Sequence, residues 1–246
     1  MSLGIKVLNE RLKRWSVCSL CEQDYHGVVK CALGWACWKT YLGRPEENQV
    51  RRRAMSELGS GLSQADHLED ALSVGEAELS LMRRIGAQEA AILAVQSNVA
   101  ITYEALGRLE QSLEIKREVY SGYLRLNEEH ENTLISANNY ASSLISLKCF
   151  EEAKSLLRET LPVTRRVLGE VDITTLRIRR VYAIALYKDN DATLDDLREA
   201  VNTLDDTARI ARRVLGDSHP TTAGVEVSLR NARAVLCTRE APSSVP

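Results

Sequence analysis

The chain has 246 residues, 44% of them hydrophobic, and a formal net charge of −2. With 13 Gly, 5 Pro and no long uninterrupted apolar run, it is neither a collagen-like or low-complexity chain nor one expected to span a membrane. The charge balance gives no overall electrostatic case for a nucleic-acid partner, although residues 1–45 carry 7 Lys/Arg against 3 Asp/Glu.

The chain opens on Met1 to Trp15, where Lys6, Glu10, Arg11, Lys13 and Arg14 interrupt the apolar residues. This stretch lacks the apolar core of a secretory signal, and position 2 is Ser rather than the Gly that myristoylation needs. A cytoplasmic chain is expected, with its six Cys reduced rather than joined in a disulfide framework. Cys18, Cys21, His26 and Cys31 come next, with the spacing C-x2-C-x4-H-x4-C. Four such ligands would satisfy a closed structural zinc site, and the spacing equals that of a zinc knuckle, a small nucleic-acid module. Arg11, Lys13, Arg14 and Lys30 would suit phosphate contacts across residues 11–31. The knuckle's usual glycines are absent, since Glu22 and Tyr25 stand in their places. The other reading is a packed helix over Val28–Leu42, in which Cys31 and Cys37 are small core residues and Trp35 and Trp38 pack onto the first repeat unit.

From Pro45 onward the spacing predicts helix after helix. Ile85-Gly86, Leu126-Asn127, Leu168-Gly169 and Leu215-Gly216 recur at intervals near 42 residues. Gly and Asn tolerate a left-handed backbone, so each pair reads as a helix end and a turn. One helix series is predicted over 46–64, 90–106, 131–147 and 172–188, and a second over 67–85, 109–126, 150–168 and 193–215. In the third unit Leu134, Ala137, Tyr140, Ala141, Leu144 and Leu147 keep the three-and-four spacing of a buried helix face. A helix pair cannot bury its apolar face alone, so such units stack. A last helix over Val225–Thr238 reads as a cap, and Ala241–Pro246 as a frayed Pro/Ser tail. The organisation expected is therefore an N-terminal Cys/His/Trp-rich segment over 1–45, a repeat domain over 46–240 and a tail over 241–246.

Several in-phase motifs carry a resemblance. They are Asn138-Asn139-Tyr140-Ala141, Phe150-Glu151-Glu152-Ala153, Arg165-Arg166-Val167-Leu168-Gly169, Thr174-Thr175-Leu176 and Leu215-Gly216-Asp217-Ser218-His219-Pro220-Thr221-Thr222. Gly107-Arg108-Leu109-Glu110 and Glu69-Asp70-Ala71 add weaker matches. Over roughly 50–236 the chain resembles tetratricopeptide repeats of the long, kinesin light chain type. Gly75 inside the second helix of the first unit, and a longer turn in the fourth, depart from the pattern.

The resemblance implies an all-α fold, a right-handed α-solenoid of about four antiparallel helix pairs. It also implies a concave groove, lined by the first helix of each pair, that holds an extended peptide. Carboxamides suit that task because each offers a donor and an acceptor to a peptide backbone. The resemblance places this role on Asn98 and Asn139, with Glu57 and Val181 at the equivalent positions of the first and fourth units. Arg53, Ser97, Asn138, Arg177 and Arg180 are further groove candidates. Arg177 and Arg180 share a helix face and would favour an acidic peptide.

Motifs for catalysis are missing. There is no phosphate loop, G-x-G-x-x-G or H-E-x-x-H. His67, His130 and His219 fall in predicted turns, which suits capping. Asp195-Asp196 and Asp205-Asp206 are neighbours in sequence and do not face each other on a helix. A non-enzymatic scaffold for a protein or peptide partner is expected, with no cofactor beyond the zinc weighed above.

Overall fold

The structure, a computed structural model, describes residues 13–240. The tail over 241–246 and Arg11 lie outside the described residues. Ten helices account for the regular structure among those residues, and one isolated antiparallel bridge joins Val17 to Asp24. They are α1 (Gly27–Tyr41), α2 (Gln49–Gln64), α3 (Leu68–Arg84), α4 (Glu89–Ala105), α5 (Leu109–Leu126), α6 (Glu131–Ser146), α7 (Phe150–Leu168), α8 (Ile173–Lys188), α9 (Leu194–Leu215) and α10 (Pro220–Glu240). The chain divides into two compact units, Met1–Ile115 and Lys116–Pro246.

The predicted boundaries hold closely because local chemistry sets them. Asn48 caps α2 by accepting from the Val50 and Arg51 amides at 3.0 and 3.4 Å. Asp172 caps α8 through the Thr174 amide at 2.7 Å. Thr193 and Asp196 form a reciprocal capping box on α9. His130 and His219 accept from Asn132 and Thr221 amides at 3.1 Å each, so both are turn residues as expected. Asn127 departs from expectation. Its φ is not positive, and it turns the chain instead by accepting the Glu129 amide at 2.9 Å.

In the first unit α1 and α2 cross closely. A Cβ on Gly34 would lie 2.8 Å from the Glu57 carbonyl oxygen, and one on Gly61 would lie 2.7 Å from the Lys30 carbonyl oxygen. Those two glycines are what permit the crossing. Cys37, Tyr41, Val50 and Ala54 form a buried cluster against which Trp15 and Trp38 pack. Trp38 therefore packs as expected, whereas Trp35 is exposed. Beneath the crossing Lys30 and Glu57, both buried, form an ion pair, and Arg53 donates to Glu57 at 3.0 Å.

The core of the second unit follows the predicted spacing. Tyr140, Ala141, Leu144, Ala153 and Leu157 are all buried, as their spacing predicts. Each large apolar side chain so buried contributes roughly 1.5–3 kcal/mol. Tyr140 stacks on Tyr120 and donates to Glu152 at 2.6 Å; burial and that bond push its phenol up to about 12. The capping helix α10 buries Val225, Leu229 and Ala232. It is laced to antiparallel α9 by Arg212–Glu226, Asp205–Arg233 and Arg198–Glu240, at 2.7, 2.8 and 2.9 Å.

Candidate functional site

In the first unit three adjoining hollows, of about 280, 650 and 320 Å³, open beside the first helix of each pair. All three are lined by Ser56 of α2 and Asn98 of α4. Asn98 is exposed there, as its place in the repeat predicts. Arg53 lines two of the hollows, with its guanidinium directed to Glu57. Ser97 is half-buried beside Asn98.

Lys13 and Ser16, from the segment before α1, line the largest hollow opposite Arg52. Ser16, Asp24, Tyr25 and His26 wall the third one. The turn joining Val17 to Asp24 thus stands against the inner face of α2 and α4. Arg52 has no ion-pair partner among the described residues: it donates to the Met82 sulfur at 3.4 Å, and its Nε is buried without a partner.

Glu78 of α3 is the least expected member. It is 6% exposed, and Ser56 donates a hydrogen bond to it. Burial raises its carboxyl above the ordinary 4.5; the Ser56 bond and the charges of Arg53 and Arg52 pull the other way without cancelling that rise. The folded state therefore holds this proton more tightly than the unfolded one, and stability falls as pH rises from 4.5 through the folded value. Glu78→Gln should melt higher than the wild type at about pH 7, with the difference closing by about pH 4. An equal difference in Tm at both pH values would contradict this origin.

In the second unit Asn139 is half-buried and Arg177 exposed. Asn138 is half-buried, with its Oδ1 enclosed and unpartnered. Arg180 reaches the capping helix. Its Nε donates to the Ser228 hydroxyl of α10 at 2.9 Å, and its guanidinium lies over Gly224, where a Cβ would come within 3.3 Å. It is committed to the capping helix, whereas Arg177 is exposed and has no ion pair among the described residues.

Cys18 lies beside Cys21, but the four are not gathered into one site: no group of three or more His, Cys, Asp or Glu able to hold a metal occurs among the described residues. Cys31 packs instead against Leu58, Leu62 and Ala71, and His26 is exposed at the start of α1. The Cys18 thiol is drawn down to about 7 by the backbone amides of Cys21 and Leu20 and by the Cys21 thiol. No helix of the described residues is long and apolar enough to cross a membrane.

Asn98, named from repeat register, and Arg53, named as a further groove candidate, both line these hollows. Sequence reasoning missed Ser56, Arg52, Lys13, Ser16 and Glu78. For Glu78 a signal existed, because the equivalent positions of the other three repeats are Val119, Thr160 and Leu204, all buried.

The repeats define the class. A tetratricopeptide repeat model matches residues 133–173 and 192–221. Solved structures extend the likeness beyond those segments. A kinesin light chain protein of Podosopora anserina built of nearly identical TPR-like repeats has a TM-score of 0.65 at 21% identity, covering 77% of this chain and 88% of that one. BtubC (BKLC) of P. vanneervenii has 0.61 at 15%, covering 88% and 93%. A Rap protein complexed with competence and sporulation factor has 0.57 at 15%, covering 86% of this chain and 60% of that one. No curated protein matches by sequence. The described residues form an all-α repeat fold similar to those of kinesin light chain-like proteins, and two stretches of it match the tetratricopeptide repeat model.

Proposed function

We propose that this chain is a non-enzymatic interaction scaffold and that the inner face of its first unit binds an extended segment of a partner protein. The observation that carries the reading is the convergence of three hollows on Asn98, an exposed carboxamide on α4 beside the buried Val95 and Val99. A carboxamide in a groove bonds a peptide backbone whatever its side chains. Arg52 and Lys13 at one end supply positive charge without an ion-pair partner among the described residues, which favours an acidic residue of the segment there. Asn139 and Arg177 are the corresponding candidates of the second unit. The similarity to a Rap protein solved with a bound factor supports a fold suited to holding a partner.

The test is chemical-shift mapping of the labelled chain with a peptide recovered by display selection on the whole protein. Shifts are expected at Ser56, Asn98 and Ile101. Shifts confined to the outward faces of α3 and α5 would overturn the reading.

A further inference from the structure

The four repeats act as controls for one another. Aligned on Ala71, Ser112, Ala153 and Leu197, the second helices are buried at the same later position, occupied by Glu78, Val119, Thr160 and Leu204. Three residues before it stand Gly75, Lys116, Leu157 and Val201. The first repeat alone has a carboxyl at the core position and nothing but hydrogen at the other. Gly75 lets α4 come close, since a Cβ there would lie 2.9 Å from Val99 Cγ2, and it lines with Glu78 the hollow of about 280 Å³ between α2, α3 and α4.

A buried carboxyl stabilises nothing by itself, since burial without a counter-charge is unfavourable. Arg53 is committed to Glu57, and Arg52 reaches the Met82 sulfur, not Glu78. Both flank Glu78 from the largest hollow, which it also lines, without pairing with it; in the hollow of about 280 Å³ Glu78 is the one charged group. Its remaining walls divide in two. Val95, Val99 and Ile101 are apolar, while Ser60, Asn98 and Thr102 are polar and neutral.

We propose that this hollow is a subsite for a basic side chain of the bound partner, a lysine above all. The methylene stem would lie on Val95, Val99 and Ile101, and the ammonium would meet Glu78. The inference rests on the groove reading above and adds to it a residue preference. It explains why the first repeat keeps a carboxyl at a buried position that the other three fill with uncharged side chains, which local rules disfavour unless function requires it.

The experiment is a selection of a random displayed peptide library on the whole wild-type chain and, in parallel, on Glu78→Val. That variant restores the residue type of Val119 and should melt higher than the wild type. Wild-type selection is expected to enrich Lys at one fixed position, and selection on Glu78→Val is expected not to. A synthetic peptide with that Lys replaced by norleucine should lose about tenfold in affinity for the wild type and little for Glu78→Val, the pattern of a direct coupling. Peptides that bind without a basic preference, or equal enrichment on both proteins, would overturn the subsite and leave the groove standing. Recovery of no peptide at all would overturn both. Should Glu78→Val fail to fold, Glu78→Gln serves in the same selection.

Discussion

Ala141→Arg should unfold the second unit or destabilise it by about 4 kcal/mol or more. Ala141 is fully buried, and so are Ala100 and Ala183 at the equivalent positions of neighbouring repeats. A residue this small recurs at this buried position of the first helix in three successive pairs. An arginine there must either bury an unpaired guanidinium or pry the helices apart. Against a total stability of roughly 5–15 kcal/mol, either outcome is severe. Urea unfolding checks it, with Ser146→Arg, an exposed position on the same helix, as the control. A midpoint equal to the wild type's would mean that the helix register is wrong.

Asp189→Ala should be the next most damaging, at roughly 3 kcal/mol. Asp189 accepts from Lys154 at 2.8 Å, and the two side chains are 10% and 5% exposed. Asp189 ties the long turn after α8 back to α7, and it also accepts the Asp191 amide at 3.0 Å. Burial pulls the Lys154 ammonium down, but its bonds to Asp189 and Glu151 outweigh that and raise it. The Lys154 bond in turn holds the Asp189 carboxyl below its ordinary 3.8. Without Asp189 the ammonium stays buried, with Glu151, itself 80% exposed, as its remaining ion-pair partner among the described residues and Asp196 acting from further off. A depressed carboxyl stabilises above its unfolded value, and that contribution is lost as pH falls through the folded one. The gap in Tm between wild type and variant should therefore be full at about pH 7 and shrink below about pH 3.8. Adding Lys154→Leu to Asp189→Ala should recover much of the loss, because a buried pair is often no better than apolar packing. If the double variant is as unstable as the single, the ion pair is not the cause.

Much of the fold is legible in the chain itself, because its determinants are local. The periodic Leu and Ala positions set the helices, and turn residues such as Gly107, Gly169 and Asn127 set their spacing. Even Asn127, whose backbone is not left-handed, ends its helix where predicted, since its side chain makes the turn. The site is less legible because it depends on contacts distant in sequence. Asn98 follows from repeat register. Arg180 looked free until α10 brought Ser228 to it from 48 residues away. Lys13 and Ser16 belong to no repeat, so nothing in the periodicity places them beside Arg52. Cys31 shows the same limit: its spacing to Cys18, Cys21 and His26 fits a metal site, but the helix that carries it turns it onto Leu58 and Leu62.

The central claim is that the inner face of the first unit holds a peptide backbone through Asn98. Fluorescence anisotropy of a labelled, display-selected peptide, titrated with wild type and with Asn98→Ala, tests it most directly. One lost hydrogen bond is worth roughly 0.5–1.5 kcal/mol, so the variant should bind about 2- to 13-fold more weakly while melting at the wild-type temperature. Equal affinity of the two proteins for that peptide would contradict the account.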